Sequence, residues 1–311
     1  MSGAMLLAFG LDAAIGWPDA LFRRIGHPVT WIGALIDWCD RTWNDTTAAP
    51  RTRHGAGIAT VALVLAAAIL PAVAITALLP GGWTGAILTA ILAWPFVAAR
   101  SLHDHVAAVA APLSRGDVTG ARTAVAMIVG RDPNRLDAPA IARAATESLA
   151  ENASDGVIAP LFWGAVLGLP GIVAYKAINT MDSMIGHMTP RHADFGRAAA
   201  RLDDVANWIP ARLTGLLFCI VAPSPGVAFS TMRRDAPHHR SPNAGWPEGA
   251  MAAALGVRLS GPRIYADRVA QEPWLNRDAP DPGAADLIRA LGHYRRALIV
   301  AAGALLALAW W

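Results

Sequence analysis

The chain of 311 residues is 54% hydrophobic and only 16% charged, where a soluble domain carries about 25% charged residues; this excludes an ordinary water-soluble globule and points to a membrane protein. Its 26 Lys and Arg against 23 Asp and Glu leave a formal charge of +3, but the arginines are scattered among aspartates without a dense run interleaved with aromatics, so nucleic acid is not an expected partner. Two distant cysteines, Cys39 and Cys219, offer neither a disulfide framework nor a zinc site.

The first segment, MSGAMLLAFGLDAAIGW, lacks the basic flank of a signal peptide and carries Asp12 at its middle, so it is expected to be retained as a first membrane segment. GHPVTWIG (26–33) reads as a turn leading into an amphipathic stretch, with His27 in a structural place. Residues 55–79, GAGIATVALVLAAAILPAVAITALL, hold no charge and exceed the roughly 20 residues that cross a hydrocarbon core. PGGW (80–83) is a turn and TGAILTAILAWPFVAA brings the chain back to Arg100, so a helical hairpin is expected. Arg51 and Arg53 before it and Arg100 after it put both ends in the cytoplasm by the positive-inside rule. VIAPLFWGAVLGLPGIVAY (157–175) is apolar enough to insert, yet Pro160, Gly168, Pro170 and Gly171 interrupt it. A single crossing would carry Lys176 to the far side, so a re-entrant hairpin is expected, and LTGLLFCIVAPSPGVAF (213–229) takes the same reading. ALIVAAGALLALAWW follows Arg295 and Arg296 and ends on Trp310 and Trp311, which suit an interface belt. The polar stretches 101–156 and 176–296 then lie in the cytoplasm. Strand-like alternation is lacking, so the predicted fold is all-α: a polytopic integral membrane protein with about four transmembrane helices, broken re-entrant hairpins and cytoplasmic helical loops, in one domain over 1–311.

Three polar clusters stand out. In ATESLAENASDG (145–156), Glu147, Glu151 and Asp155 recur at i, i+4 and i+8 along one side of a helix, where like charges repel by roughly 0.2–0.5 kcal/mol per pair. A divalent cation or an arginine would compensate; a solvated acidic face is the blander reading. In YKAINTMDSM (175–184), which holds the chain's only lysine, a helix would line up Lys176, Asn179, Thr180, Ser183 and His187, with Asp182 on the flank. One ammonium, one amide and two hydroxyls suit a phosphate, whereas the alternative is a lysine snorkelling at a membrane edge. In RAAARLDDVANWIPAR (197–212), Asp203 and Asp204 with Asn207 one turn on could form a Mg²⁺ shell shared with waters and phosphates, or be neutralised by Arg197, Arg201 and Arg212. HHRSPNAGWPEGAMAAALG (238–256), with Asn243, reads as a loop entering a small-residue helix whose free backbone N–H groups suit an anion. No GxxxxGK[ST] or GxGxxG sequence occurs, so any nucleotide binds outside those motifs.

ESLAENASDGVIAPLFW, YKAINTMDSMIGH, ARLDDVANWIPARLT and SPNAGWPEGAMAAALG, in that order behind GHPVTWIG, resemble the adenosylcobinamide-phosphate synthases of cobalamin biosynthesis, the CobD/CbiB family. The likeness covers nearly the whole chain; His187 stands where an aromatic is expected. The resemblance implies ATP-dependent amide ligation of adenosylcobyric acid with (R)-1-amino-2-propanol phosphate, or a threonine-phosphate relative, with ATP and Mg²⁺ required. It further implies Mg²⁺ held among Glu147, Glu151, Asp203, Asp204 and Asp182, Lys176 on the transferring phosphate, Arg191 or Arg201 on the aminopropanol phosphate, and Asp155 taking the amine's proton. Phe162 and Trp163 would offer the corrin ring an apolar wall. The setting implied is the bacterial cytoplasmic membrane, the site facing the cytoplasm, with other cobalamin-pathway proteins and a second copy of the chain as further candidate partners. Without the resemblance, two rivals remain: an intramembrane Mg²⁺-dependent phospho-alcohol or prenyl transferase, and a non-catalytic transporter or sensor.

Overall fold

The computed structural model describes residues 1–129, 135–264 and 269–310, so Trp311 of the expected interface belt lies outside the described residues. In chain order the helices are α1 (Ser2–Ile15), α2 (Asp19–Ile25), α3 (Pro28–Trp43), α4 (Pro50–Leu78), α5 (Gly82–Ala93), α6 (Ala99–Ser114) and α7 (Val118–Val125). They continue with α8 (Ala138–Ala153), α9 (Ala159–Ile185), α10 (Arg197–Ala206), α11 (Trp208–Ile220), α12 (Pro225–Asp235), α13 (Gly245–Leu255) and α14 (Ala284–Trp310). Strand structure among the described residues is limited to short antiparallel pairings, β1 (Leu259–Ser260) with β4 (Trp274–Leu275) and β2 (Arg263–Ile264) with β3 (Val269–Ala270).

Among the described residues, four helical stretches are long and apolar enough to cross a membrane: Pro50–Leu78, Gly82–Ser114, Ala138–Ile185 and Ala284–Trp310. α1 alone, at 1.5 Å per residue, reaches only about 21 Å of the roughly 30 Å hydrocarbon core. It becomes a fifth candidate only together with Asp19–Trp43, from which it is bent by 110°. The chain divides into two compact units, one formed by Met1–Ala98, Ala159–Asn207 and Leu305–Trp311, the other by Ala99–Ile158 and Trp208–Ala304.

In the first unit α4 is the longest helix, and its buried residues Arg53, Gly57, Thr60, Val64 and Ala72 form a stripe that packs on α9, α3 and α10. The expected return arm, α5, docks on α1 and not on α4, because the small-residue face of α4 is already taken by α9. α3 starts on a reciprocal cap: Nδ1 of His27 accepts the Val29 N–H at 3.2 Å while the His27 N–H donates to Thr30 Oγ1 at 3.3 Å. His27 is therefore in a structural place, as the sequence suggests, and its role there is to cap α3.

The interrupted segment does fold back. Within α9, Gly168 adopts φ 69°, ψ −152°, outside helical geometry and in a region open to glycine. Eight residues of straight helix would separate Trp163 from Gly171 by about 12 Å, yet a Cβ on Gly171 would overlap the Trp163 carbonyl and one on Gly164 would sit 3.4 Å from Ile172 Cβ. The two arms, before and after Gly168, are thus a tight hairpin.

In the second unit α13 is a buried helix against which α8, α11 and α12 pack. α11 and α12 make the other expected hairpin: a Cβ on Gly215 would lie 2.6 Å from Met232 Sδ, and Cys219 Sγ is 3.9 Å from the same sulfur. α14 is anchored by Tyr294, whose hydroxyl donates to the Ala99 carbonyl at 3.0 Å, and by His293, whose Nε2 donates to the Phe218 carbonyl at 3.0 Å. Both cysteines are buried and free.

Candidate functional site

Asp182, Asp203 and Asp204 of the first unit come together where the second arm of α9 meets α10. α10 is brought there by the loop 186–196. That loop is pinned by Arg53, a buried side chain whose Nε donates to Asn44 Oδ1 at 3.1 Å and whose Nη groups donate to the carbonyls of Pro190 and Arg191, with Asp194 at 3.7 Å. The loop closes against the helices so tightly that a Cβ on Gly57 would overlap the Phe195 carbonyl oxygen, and one on Gly196 that of Ile185.

Tyr175, Asn179 and Asp182 occupy the face of α9 turned to α10. The Tyr175 hydroxyl donates to Asn207 Oδ1 at 2.8 Å, and Asn207 Nδ2 donates to Asp203 Oδ2 at 3.0 Å. Trp163 Nε1 donates to the Ala206 carbonyl at 3.0 Å, tying the first arm of the hairpin to the same helix. Asp203 is 8% exposed, and its carboxyl is pushed up to about 7, first by burial and next by the charge of Asp182, against the opposing pull of Asn207 and Asn179. Asn179 acts on it although Oδ1 has no hydrogen bond of ordinary geometry. A buried carboxylate with an open oxygen and a like-charged neighbour is a place short of positive charge.

Lys176 is half-buried one position along from Tyr175, its Nζ 3.4 Å from Asn179 Oδ1, and its charge reaches His27. The Thr180 hydroxyl donates to the Lys176 carbonyl at 2.7 Å and the Ser183 hydroxyl to the Asn179 carbonyl at 2.8 Å, so both protons are spent on their own helix. Asp204 and Arg201 are exposed, and because adjacent helical residues project about 100° apart, Asp204 does not share the buried face of Asp203. Arg191 grips Asp40, with Nε 2.9 Å from Oδ2 and Nη2 3.2 Å from the Asp40 carbonyl. The first unit also holds an apolar cavity of about 350 Å³, lined by residues that include Trp31, Ile32, Val64, Phe96, Leu169 and Val173. Phe162 and Trp163, expected as an apolar wall, stack edge to face with each other at 5.3 Å and line no part of it.

In the second unit Glu147 is buried and its Oε1 accepts the Ser260 N–H at 2.8 Å; Glu151 is exposed. Asp155 falls in a π-helical turn, Ser154–Ile158, that interrupts the regular spacing on which the three-carboxylate stripe relies. Asn243 is buried and accepts from Arg212 Nη1 at 3.0 Å. Arg212 in turn lies between the rings of Trp208 and Trp246, at 4.5 and 4.6 Å, a sandwich whose Trp208/Arg212 spacing was the one local signal for it. His239 and Glu248 form a second buried pair, at 3.6 Å, that no sequence pattern marked.

Among the described residues no three His, Cys, Asp or Glu side chains converge as a metal cage. Magnesium does not need one, since it is commonly held by one or two carboxylates together with waters and substrate phosphates. The buried Asp203 with its open Oδ1, beside Asp182, fits that pattern.

The chain matches the protein family described as CobD/Cbib protein over residues 5–294. It is 62% identical over 294 residues to "Cobalamin biosynthesis protein CobD" of Rhodobacter capsulatus, covering 94% of this chain and 93% of that relative. The protein of the same name from Brucella suis is 51% identical over 278 residues, 87% of this chain and 85% of the relative. That from Rhizobium meliloti is 47% identical over 279 residues, 88% and 85%. No solved structure matches the chain.

Proposed function

The chain belongs to the CobD/CbiB family and serves cobalamin biosynthesis, and from that premise we propose that it is the ATP-dependent ligase that joins adenosylcobyric acid to (R)-1-amino-2-propanol phosphate, or a threonine-phosphate relative. The product is adenosylcobinamide phosphate. A carboxylate does not react with an amine until it is activated. In the proposed route a propionate oxygen of the corrinoid attacks the γ-phosphorus of ATP, ADP leaves, and an acyl phosphate remains. The neutral amine then attacks the acyl carbon, phosphate departs and the amine loses a proton to a base.

The observation that carries this reading is the buried, under-partnered carboxylate of Asp203, flanked by Asp182 on a helix that also presents the chain's only lysine. Bound magnesium would neutralise charge on the ATP phosphates, the work that dominates phosphoryl transfer. Asp203 and Asp182 would hold it, Asn207 and Tyr175 keep the Asp203 carboxylate oriented, and Lys176 supplies a movable charge to the transferring phosphate. The apolar cavity gives part of a bulky amphipathic substrate a dry place within the same unit. The arginines flanking the long apolar helices support a bacterial cytoplasmic membrane setting, with this side of the protein toward the cytoplasm.

The test is reconstitution in detergent with adenosylcobyric acid, aminopropanol phosphate, ATP and Mg²⁺, reading corrinoid mass. Product from the wild type, lost with Asp203→Asn and Lys176→Ala in folded protein, supports the proposal. A wild type that consumes no ATP and makes no product, even with cell lysate added, sinks it.

A further inference from the structure

A second cavity, of about 590 Å³, opens in the other unit beside α14, and its lining includes Leu255, Arg289, Gly292, Arg295, Arg296 and Ile299. Arg289, Gly292, Arg296 and Ile299 recur at i, i+3, i+7 and i+10, which puts them on one face of the helix. The place is chemically two-sided. Before Ala297 the helix is polar, and from Ala297 on the sequence runs ALIVAAGALLALAW without a charge, so the cavity sits where a candidate membrane span passes from polar to apolar.

The charge at this boundary is positive and uncompensated. Arg289 is occupied, donating to the Leu255 carbonyl at 2.8 Å and pairing with Asp286. His293 is buried with Nε2 on the Phe218 carbonyl. Arg295 and Arg296 are exposed, and neither has a carboxylate partner among the described residues. Gly292 adds room, for a Cβ there would meet nothing within 4 Å.

We propose that this cavity binds the phosphate-bearing headgroup of an anionic membrane lipid, with Arg295 and Arg296 on the phosphate and Ile299 beside the first carbons of an acyl chain. Basic pockets at the membrane border take such headgroups because the guanidinium fork matches phosphate oxygens while the adjoining apolar surface stays with the tails. A soluble phosphate ester would meet the same two arginines but gain nothing from Ile299 or from the position of the cavity at the apolar boundary.

The experiment is native mass spectrometry of the full-length protein in detergent, titrated with phosphatidylglycerol or phosphatidylcholine. The wild type is expected to retain phosphatidylglycerol preferentially, and Arg295→Gln with Arg296→Gln to weaken retention by about thirtyfold, as two lost surface charges imply. Because those arginines also flank a span and their loss could disturb insertion, Gly292→Leu fills the same cavity without altering charge, and it is expected to lower retention in protein of unchanged melting temperature. Equal retention of the two lipids by the wild type, or undiminished phosphatidylglycerol binding in the folded Gly292→Leu variant, overturns the proposal. Displacement of the lipid by millimolar inorganic phosphate also overturns it, assigning the arginines to a free phosphate ester.

Discussion

Asp203 in the first unit and Asp281 in the second are the same side chain in opposite circumstances. Asp281 accepts from Arg258 through both oxygens, at 3.0 and 2.6 Å, and from Arg143 at 3.0 Å. Those arginines also lie over the Trp274 ring, and they hold the Asp281 carboxyl below the usual carboxylate range. Among the described residues no cation pairs with Asp203, which is met only by two amides, and burial together with Asp182 drives its carboxyl the other way. The difference separates a carboxylate that is complete within the fold from one that is not. An arginine-paired carboxylate has little left to offer a ligand, whereas a buried, unneutralised one is tolerated where a cation or a proton is to be taken up.

That contrast can be broken in several ways, beginning with the chemistry. Asp203→Asn should lower product formation by at least about 100-fold, the scale of losing a positioned charge at a phosphoryl-transfer site, while leaving the fold intact because the amide occupies the same space. Equal turnover in the variant would place the chemistry elsewhere. Gly57→Ala should reach the same region through packing: its methyl group would overlap the Phe195 carbonyl and push on the loop that delivers α10. A loss of about 3 kcal/mol in denaturant or thermal unfolding is expected, and an unchanged midpoint would mean that the loop moves freely.

The pH dependence sharpens the comparison further. Asp203 binds its proton more tightly folded than unfolded, so its contribution to stability is most favourable below about pH 4 and is lost as pH rises towards and past about 7. Between pH 5 and pH 8 this amounts to about 3 kcal/mol, and Asp203→Asn should flatten that part of the melting-temperature profile. Asp281 has the opposite sign: its folded carboxyl is depressed, so its stabilisation is present above the unfolded carboxylate range and fades only in stronger acid. Asp281→Ala is the smallest effect, a loss of about 1 kcal/mol for a partly exposed pair of ion pairs, with turnover in the proposed reaction unchanged.

Local signals carried the helices and their breaks. The uncharged run that became α4, the Gly168 break, the Gly215/Met232 hairpin and the capped start of α3 all rest on residues within a few turns of one another. The grouping of Lys176, Asn179 and Asp182 on one helix was legible for the same reason, as was the neighbouring Asp203/Asn207 pair. Long-range choices were not legible. Nothing near Arg191 in sequence tells that it pairs with Asp40, 151 residues away, nor near Arg53 that it will collect the carbonyls of residues 190 and 191. Likewise Asp203 and Asp204 look equivalent in the sequence, and only the packing of α10 on α9 decides that one is buried and the other exposed. The docking of α5 on α1 belongs to the same class, since two uncharged helices match many apolar faces equally well.

The chain of hydrogen bonds from Tyr175 through Asn207 to Asp203 also sets a direction for proton traffic. A carboxamide accepts with its oxygen and donates with its nitrogen, but unlike water or a hydroxyl it cannot hand on a proton without passing through an unfavourable imidic form. Asn207 therefore works as a strut and not as a wire: it fixes where the Asp203 carboxylate points while insulating it from the phenol behind. The Oδ1 edge of Asp203 carries no such strut, so that is the side of the carboxylate left for exchange with a proton or a cation.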